Sequence, residues 1–570
     1  MEEIRIYCEN TGSYENVAMG STLKELSDRI CPTIDAKCGC GMPVLAALVD
    51  RKLVSLDYKV INPHNVLFIG YSHPDGRRTY IRSLCFVLQN VVREMYPDKV
   101  LAIDYSLPSG LYCEIRELQP MEDGRPRVYF ATDDELEKIE VRMHEMVAAD
   151  MPFSKAMLSL EECEELFAKN HQPEKVNLLK SLGRYHYEAY FLDGQADTFY
   201  APLVPSTGLL KTFNISGFND GFCLQYPMDG DHDKVLPMKR QSKLAAALEE
   251  HSDWCSIMGV RAVGTLNKMV HSGEIVDLIN LSEALHERKY ADIADQIYAR
   301  RGSVKIVFIA GPSSSGKTST SKRLALQCRI LGLNPKVIEL DNYFVDRELT
   351  PRDENGEYDF ECLGAMDLKL LGSQLNDLLA GKEVEIPRFD FKEGRKYFEG
   401  NMMQLHEKDI LIMEGIHALN PAMIPDVDGS KVFRVYASAL TSLSIDENNN
   451  ISTSDNRMLR RMIRDNRTRG INPENTITMW QSVRRGENRN IFPFQENADA
   501  VFNSAHIFEL PVLKYYAEPL LRRISPSSPA YTEARRMLKF LSYIVALTPA
   551  EIAAIPPTSI LREFIDGQTL

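Results

Sequence analysis

The sequence has no uninterrupted run of 18 apolar residues, so it offers no candidate for a membrane-spanning helix. Its first residues, Met-Glu-Glu-Ile-Arg, also lack the basic start and the apolar stretch of a secretion signal. These two absences predict a cytoplasmic protein without a membrane partner.

Paired cysteines are missing as well. The 11 cysteines include no C-x-x-C spacing, which predicts reduced thiols and no disulfide framework. Cys38 and Cys40 stand close together, but no second pair lies nearby to complete a zinc site. A turn with incidental thiols is therefore favoured over a metal site.

Positive charge is in short supply, with 66 Lys and Arg against 80 Asp and Glu and a formal net charge of −14. This balance makes nucleic acid an unexpected main partner, because such proteins concentrate basic residues. The length of 570 residues is too great for one hydrophobic core and predicts three or four domains.

What the sequence does contain is a phosphate-binding loop. Residues 311–318 read Gly-Pro-Ser-Ser-Ser-Gly-Lys-Thr and match G-x-x-x-x-G-K-[ST]. They follow an apolar stretch, 304–310, that predicts a buried strand, and they precede a predicted helix, 319–331. A chance Gly/Ser-rich turn is the alternative.

In such a loop the backbone N–H groups surround phosphate oxygens, and the start of the helix adds to the attraction. Lys317 is predicted to hold the β and γ phosphates of ATP, and Thr318 to bind Mg²⁺. The predicted nucleotide contacts are Gly311, Pro312, Ser313, Ser314, Ser315, Gly316, Lys317, Thr318 and Ser319.

Two acidic residues end the next apolar strands. Asp341 follows 336–340, and Glu414 follows 410–413. Ligands of open α/β sheets lie beyond the carboxyl ends of the strands, so both acids are predicted to face the nucleotide. Asp341 is the candidate general base and Glu414 a candidate Mg²⁺ ligand. The alternatives are an aspartate that caps a turn and a solvated glutamate.

A basic helical segment follows at 459–470. Arg461, Arg464 and Asp465 lie within one or two turns of it. Clustered guanidinium groups repel one another unless an anion is near, which predicts a lid over the triphosphate. A solvated basic helix is the alternative.

In this order the segments resemble the uridine kinase and phosphoribulokinase family. The family motifs G-x-x-x-S-G-K-T, D-x-[FY]-[FY], P-x-[YF]-D-F, E-G-I and R-R-x-x-R-D-x-x-x-R-G are met by 311–318, 341–344, 387–391, 414–416 and 460–470.

The resemblance covers 304–519 and implies an α/β P-loop kinase with a mostly parallel sheet. It implies that Asp341 is the base and that Thr318 and Glu414 serve Mg²⁺. It also implies a lid in which Arg461 contacts ATP, while Arg464 and Arg469 act in catalysis with Lys317.

The acceptor pocket departs from the family. Uridine and cytidine kinases carry F-D-H-P-D-A-F-D, whose first aspartate holds the ribose hydroxyls, whereas 360–367 read Phe-Glu-Cys-Leu-Gly-Ala-Met-Asp. Glu361 is the candidate for that role, and Phe389 the candidate for stacking on a base. The family histidine that reads the base is missing, so Arg395 is a candidate donor. Tyr343 completes the predicted substrate contacts, and a changed base or another polyol stays open.

The first half resembles threonyl-tRNA synthetases. Residues 1–72 alternate short β-like runs with one helical segment, 22–29, and resemble the TGS domain, a β-grasp fold. Residues 73–229 resemble the α+β editing domain of the same enzymes, through Leu-Val-Pro-Ser-Thr-Gly-Leu-Leu-Lys-Thr-Phe at 203–213.

The editing residues themselves are replaced. Phe199 and Leu203 stand at the late cysteine and histidine positions, and the early region from Arg78 to Arg82 has no histidine. Without imidazole or thiolate there is no ligand set and no general base, so we predict a domain without editing activity.

The remaining segments complete the predicted organisation. Apolar residues at helical spacing, Leu244, Leu248, Leu281, Leu285, Ile293 and Ile297, predict a helical connector at 230–301. The kinase-like domain is predicted at 302–520 and a helical tail at 521–570.

Together these features predict an ATP- and Mg²⁺-dependent kinase that phosphorylates the 5′-hydroxyl of a uridine- or cytidine-like ribonucleoside. The sequence leaves a homo-oligomer open. The alternatives are a kinase of another small hydroxylated metabolite and an RNA-associated, nucleotide-dependent switch.

Overall fold

The computed structural model describes residues 2–35, 41–228, 233–239, 241–352, 356, 358–390 and 392–570. Cys38, Cys40 and the last residue of the 387–391 motif, Phe391, lie outside the described residues. Within those ranges no helix is both long and apolar enough to cross a membrane.

The N-terminal module is a mixed sheet packed on one helix. Its elements are β1 Glu3–Cys8, β2 Ser13–Ala18, α1 Leu23–Ile30, β3 Thr33–Asp35, β4 Gly41–Pro43, β5 Ala46–Val49, β6 Lys52–Val54 and β7 Asn65–Ile69. The strand order is β2-β1-β7-β5-β6, with β1 parallel to β7. A capping box of Thr22 and Glu25 begins α1, and Leu23 and Leu26 bury its inner face. This arrangement confirms the predicted β-grasp class.

The second region is α+β, as predicted. Its elements are α2 Pro74–Met95, β8 Lys99–Leu107, β9 Gly110–Glu117, β10 Val128–Tyr129, α3 Asp133–Ala148, β11 Ser154–Ser159, α4 Leu160–Lys169, α5 Pro173–Ser181, β12 His186–Leu192, β13 Gln195–Thr198, β14 Asn214–Phe218 and β15 Gly221–Gln225. One sheet runs β10-β9-β15-β14 with β8 on β9, and the other runs β11-β12-β13.

The positions that replace the editing residues are packed into this region. The ring of Phe199 lies 5.3 Å from that of Phe86, and Leu203 is buried. Arg82 donates to the carbonyl oxygen of Pro202 at 2.8 Å. The loss of editing activity stays a prediction.

Three helices follow: α6 Ser242–Ile257, α7 Val263–Ser272 and α8 Ile275–Ala299. Of the apolar residues that predicted them, Leu244, Leu248, Ile293 and Ile297 are buried. Leu281 instead is 54% exposed, because it lies on the outer face of α8 while Ser282 and Glu283 face inward.

The C-terminal half is built on a parallel sheet. The strands of this half are β16 Ile306–Ala310, β17 Asn334–Glu339, β18 Val384–Glu385, β19 Arg388–Asp390, β20 Arg395–Tyr397, β21 Met402–Met403, β22 Asp409–Glu414, β23 Val432–Ser438, β24 Ser444–Asp446, β25 Asn449–Asn450 and β26 Ala500–Asn503. Its helices are α9 Lys317–Ile330, α10 Leu368–Leu379, α11 Thr453–Thr468, α12 Pro473–Asn490, α13 Glu509–Leu521, α14 Tyr531–Leu541, α15 Pro549–Ala553 and α16 Arg562–Ile565.

The order β17-β22-β16-β23-β26 is parallel throughout and places the fully buried β16 at its centre. Helices cover both faces of such a sheet, which explains the continuous apolar runs of its strands. The predicted P-loop kinase fold class is confirmed.

A buried ion pair joins the two halves. The Lys175 ammonium at the start of α5 is bound by Asp197 of its own region and lies 3.3 Å from Asp446 of β24. All three side chains are buried. The neighbouring Glu447 carboxylate accepts the backbone N–H groups of Glu174 and Lys175 at 2.7 and 3.1 Å. A hairpin of the kinase-like half therefore caps a helix of the other half.

We predict that Lys175→Met destabilises the protein by about 3 to 5 kcal/mol, because two buried carboxylates lose their counter-charge. Urea unfolding measures this change. Lys169→Met, at the exposed end of α4, is the matched control and should change stability by less than about 0.5 kcal/mol. Equal stability of the two variants would contradict the role of the buried pair.

Candidate active site

The loop at 311–318 turns sharply between β16 and α9. Ser314 and Gly316 have φ values of 59° and 79°, in the left-handed region that glycine adopts without strain. A Cβ atom on Gly311 would collide with the carbonyl oxygen of Ala437. The loop therefore needs its glycines where the pattern places them.

The two predicted metal ligands are in contact. The Thr318 hydroxyl donates to Glu414 Oε1 at 2.5 Å. The contact follows from strand register, because Ile309 of β16 and Glu339 of β17 both pair with Glu414 of β22. An adjacent hydroxyl and carboxylate are the oxygen donors that Mg²⁺ prefers.

Asp341 lies just past β17, in a 3₁₀ turn at Leu340–Tyr343. Burial raises the pKa of its carboxyl above the ordinary value, while the charges of Lys317 and Arg469 lower it. Burial also raises the pKa of Glu414 to about 7, again opposed by Lys317. The predicted base, the predicted metal ligand and the loop lysine thus share one buried electrostatic environment.

The predicted lid residues gather around one carboxylate. Asp465, which is buried, lies 3.3 Å from Arg461 Nε, accepts from Arg464 Nε at 3.0 Å and lies 3.5 Å from Arg469 Nη1. Arg461 also donates to the Ser313 hydroxyl at 2.7 Å. Helix α11 therefore already touches the phosphate loop, and Asp465 offsets the repulsion among the guanidinium groups.

Further contacts to the phosphate loop, from α11 and α12, were not predicted from the sequence. Glu487 of α12 accepts the Ser313 N–H at 3.0 Å and is paired with Arg457 of α11, whose Nη2 lies 2.7 Å from Oε2. Arg457 Nη1 donates to the Ser313 carbonyl oxygen at 3.0 Å. Both side chains are buried. No motif marks Glu487, because only the packing of α12 on α11 brings it to the loop.

A cavity of about 730 Å³ lies beside these residues. The Phe344 and Phe389 ring centroids are 5.8 Å apart in its wall. Glu361 packs so closely on Gly486 that a Cβ atom there would strike its side chain. The lining includes Phe344, Arg347, Tyr358, Asp359, Phe360, Glu361, Phe389, Arg461, Arg469, Met479, Ser482, Val483, Arg485, Gly486, Arg489 and Asn490.

Two predicted substrate contacts lie elsewhere. Tyr343 is buried and donates its hydroxyl to Gln374 of α10 at 2.8 Å, because the 3₁₀ turn directs it into the core. Its neighbour Phe344 lines the cavity instead. Arg395 is exposed on β20 and does not line the cavity. Arg347 does line the cavity, and its side chain packs on Gly394. In the β19–β20 hairpin Arg395 pairs with Asp390, and Phe389 pairs with Lys396.

Comparison with known proteins agrees with this geometry. A model of the phosphoribulokinase/uridine kinase family matches residues 306–509. This part of the chain is a domain of that family. The family match supports a kinase in this part of the chain, with the P-loop as its nucleotide-binding element.

Individual relatives match different halves. A uridine kinase from Macrococcus caseolyticus is 29% identical over 197 residues, which cover 34% of this chain and 86% of that protein. A threonine–tRNA ligase from Desulforamulus reducens is 29% identical over 205 residues, 36% of this chain and 30% of the ligase. The N-terminal region resembles these ligases, and the chain spans less than a third of their length.

Among solved structures, a possible uridine kinase from Bacillus stearothermophilus is 20% identical, with a TM-score of 0.25. The match covers 37% of this chain and 97% of that one. A possible fructose transport system kinase from Silicibacter sp. TM1040 is 16% identical, with a TM-score of 0.26, and the match covers 37% of this chain and 98% of that one.

We predict that Glu361→Gln stabilises the protein by about 1 to 3 kcal/mol at pH 8. Burial raises the pKa of Glu361 to about 7, so above that pH the native state must hold a desolvated charge that glutamine lacks. The gain is full above pH 7 and fades as the pH falls toward the ordinary value of 4.5.

Thermal unfolding across this pH range measures the effect. Glu348→Gln, at an exposed position of the preceding segment, is the control and should show no such pH dependence. A gain for Glu361→Gln that persists unchanged at pH 4.5 would contradict the electrostatic explanation.

Proposed function

We propose that the protein transfers the γ-phosphoryl group of ATP, with Mg²⁺, to the 5′-hydroxyl of a ribonucleoside. The observation that carries this proposal is that Thr318 contacts Glu414, while the charges of Lys317 and Asp341 act both on Glu414 and on Glu361. Glu361 lines the cavity that also holds Phe389. The candidate phosphate site and base are thus within electrostatic range of the candidate acceptor cavity.

The residues fit a magnesium ion. Thr318 and Glu414 supply a hydroxyl and a carboxylate in mutual contact, and the pKa of Glu414 near 7 allows the carboxylate to ionise at neutral pH. Mg²⁺ bound there would neutralise charge on the phosphates. Lys317 at the start of α9 would contribute a further positive charge.

Asp341 would accept the proton of the acceptor hydroxyl as its oxygen attacks the phosphorus atom. Burial raises the pKa of its carboxyl, and the charges of Lys317 and Arg469 oppose that rise. Arg461 and Arg469, which line the acceptor cavity, would balance the charge that develops on the transferred group.

Phe389 would stack on the base, and Glu361 would accept hydrogen bonds from ribose hydroxyls. One observation favours a second candidate, an acceptor that carries negative charge. Five arginines line the cavity, namely Arg347, Arg461, Arg469, Arg485 and Arg489, against the two carboxylates Asp359 and Glu361. A small anionic alcohol would then replace the ribonucleoside.

An acceptor panel decides between these candidates. The purified protein is incubated with γ-labelled ATP and with nucleosides, sugars, polyols and their phosphate esters, and labelled products are separated. A labelled nucleoside 5′-monophosphate supports the first candidate. Labelling of phosphate esters alone supports the second, and labelling of none of these acceptors contradicts both.

We predict that Asp341→Asn lowers kcat by about 10² to 10⁴, because the amide cannot accept the acceptor proton. ATP affinity should change by less than about threefold. Asp346→Asn is the control, since that carboxylate accepts the backbone N–H of Lys396 at 2.9 Å. Undiminished turnover of Asp341→Asn would remove this residue from the mechanism.

We predict that Phe389→Ala raises the KM for a ribonucleoside about tenfold or more, since stacking on a base contributes about 1 to 3 kcal/mol. Phe398→Ala, at a residue that is 49% exposed, should leave the KM unchanged. Steady-state kinetics of both variants check this. A KM that rises with Arg485→Ala but not with Phe389→Ala would favour the anionic acceptor.

A further inference from the structure

The C-terminal segment, residues 556–570, packs on the nucleotide-binding element. Ile560 is buried against the phosphate loop, where a Cβ atom on Gly316 would collide with its side chain. Phe564 is fully buried beneath the Arg460 guanidinium, 4.9 Å from it. The segment is thus docked on the loop and on α11 by apolar side chains.

A carboxylate of this segment caps the start of α9. Glu563 Oε2 accepts from the Ser319 hydroxyl at 2.6 Å and from the Ser319 backbone N–H at 3.3 Å. Gln568 donates to the same hydroxyl at 2.7 Å. Ser319 is the third residue of α9 and has no exposed surface.

The position matters because the loop and the first turn of its helix cradle the phosphates through backbone N–H groups. In a P-loop the backbone N–H groups cradle the α and β phosphates, while the lysine reaches the β and γ phosphates. Ser319 is the first residue after the 311–318 motif, so we assign its N–H to the α-phosphate side. One N–H group cannot serve both a carboxylate and a phosphate, and two anions at this distance repel.

We infer that the C-terminal segment occupies the part of the site that receives the α-phosphate and the nucleoside, and that ATP must displace Glu563 to bind. This inference rests on the proposed use of ATP, and it assigns to the segment the control of ATP affinity. ATP and the docked segment then exclude each other, and the apparent affinity falls with the fraction of molecules in which the segment is docked.

Displacement of the C-terminal segment would also break its contacts with the basic helix α11. Arg464 lies 4.0 Å from Glu563, and Arg467 donates to Asp566 at 3.1 Å and to the Glu563 carbonyl oxygen at 3.0 Å. Release of the segment frees these guanidinium groups for the triphosphate. By linkage, ATP binding must loosen the segment as strongly as the segment weakens ATP.

Pyrophosphate provides a matched ligand. It can fill the β and γ positions of the 311–318 loop without reaching Ser319, so its affinity should not depend on Glu563. Glu563→Gln keeps the size and the acceptor oxygen of the side chain but removes the charge that opposes the α-phosphate.

Calorimetric titration of the full chain with Mg²⁺–ATP and Mg²⁺–pyrophosphate tests this. We expect Glu563→Gln to bind ATP about tenfold more tightly than the unmodified protein, and pyrophosphate within twofold. Glu518→Gln, which removes an equal charge from the exposed pair with Arg522, controls for long-range electrostatics and should change neither. Equal ATP affinity of Glu563→Gln and the unmodified protein would overturn the inference, as would ATP binding to neither.

Hydrogen exchange of the unmodified protein gives a second test that needs no variant. Amides in 556–570 should exchange faster when ATP is added and at an unchanged rate with pyrophosphate. Slower exchange with ATP would overturn the inference, because the segment would then close over the nucleotide. These outcomes are separate from the acceptor panel: a missing product contradicts the proposed transfer, whereas unaltered exchange contradicts only the competition.

Discussion

The parallel pairing of β16 with β22 is the constraint on which the candidate site depends. It sets the end of the strand before the loop beside Glu414, and it allows Thr318 to donate to that carboxylate at 2.5 Å. Parallel strands end at one edge of a sheet, so Asp341, which follows β17, arrives at the same edge. The chemistry proposed for the protein is thus a consequence of strand direction and register.

Burial then gives these groups their electrostatic character. The carboxyls of Glu414 and Glu361 have pKa values raised to about 7, because burial removes them from water. The charge of Asp341 adds to the rise of both pKa values, and the charge of Lys317 opposes it. Asp465 and Glu487 have a different role, because each forms ion pairs that hold arginines of α11 in fixed positions. Charges that are positioned before the ligand arrives need little reorganisation during transfer.

Carboxylates that are distant in sequence cap the starts of two helices. Glu447 caps α5 of the preceding region, and the C-terminal segment caps α9 through Glu563. The N-terminus of a helix attracts an anion. The same interaction therefore joins two regions of the chain at α5 and contacts the candidate nucleotide site at α9.

Local signals in the sequence determined the strands before the loop and the two acids, the loop itself, and the basic helix. Each depends on neighbouring residues alone: an apolar run, glycines at a turn, or spacing along one helix. The β-grasp class of the first module and the parallel class of the kinase sheet were implied by the family resemblances that these segments carry. Side-chain direction within a short turn did not, so Tyr343 faces Gln374 while Phe344 faces the cavity.

Long-range packing decided what no local pattern contains. Glu487 reaches Ser313 across 174 positions and Glu563 reaches Ser319 across 244, and neither belongs to a motif. Leu281 shows the converse, since helical spacing indicated the helix but not which face the neighbouring helices would cover. The sequence by itself therefore determined the phosphate loop and the strands that precede the loop and the two acids, whereas only the tertiary structure decided which distant carboxylates meet that loop.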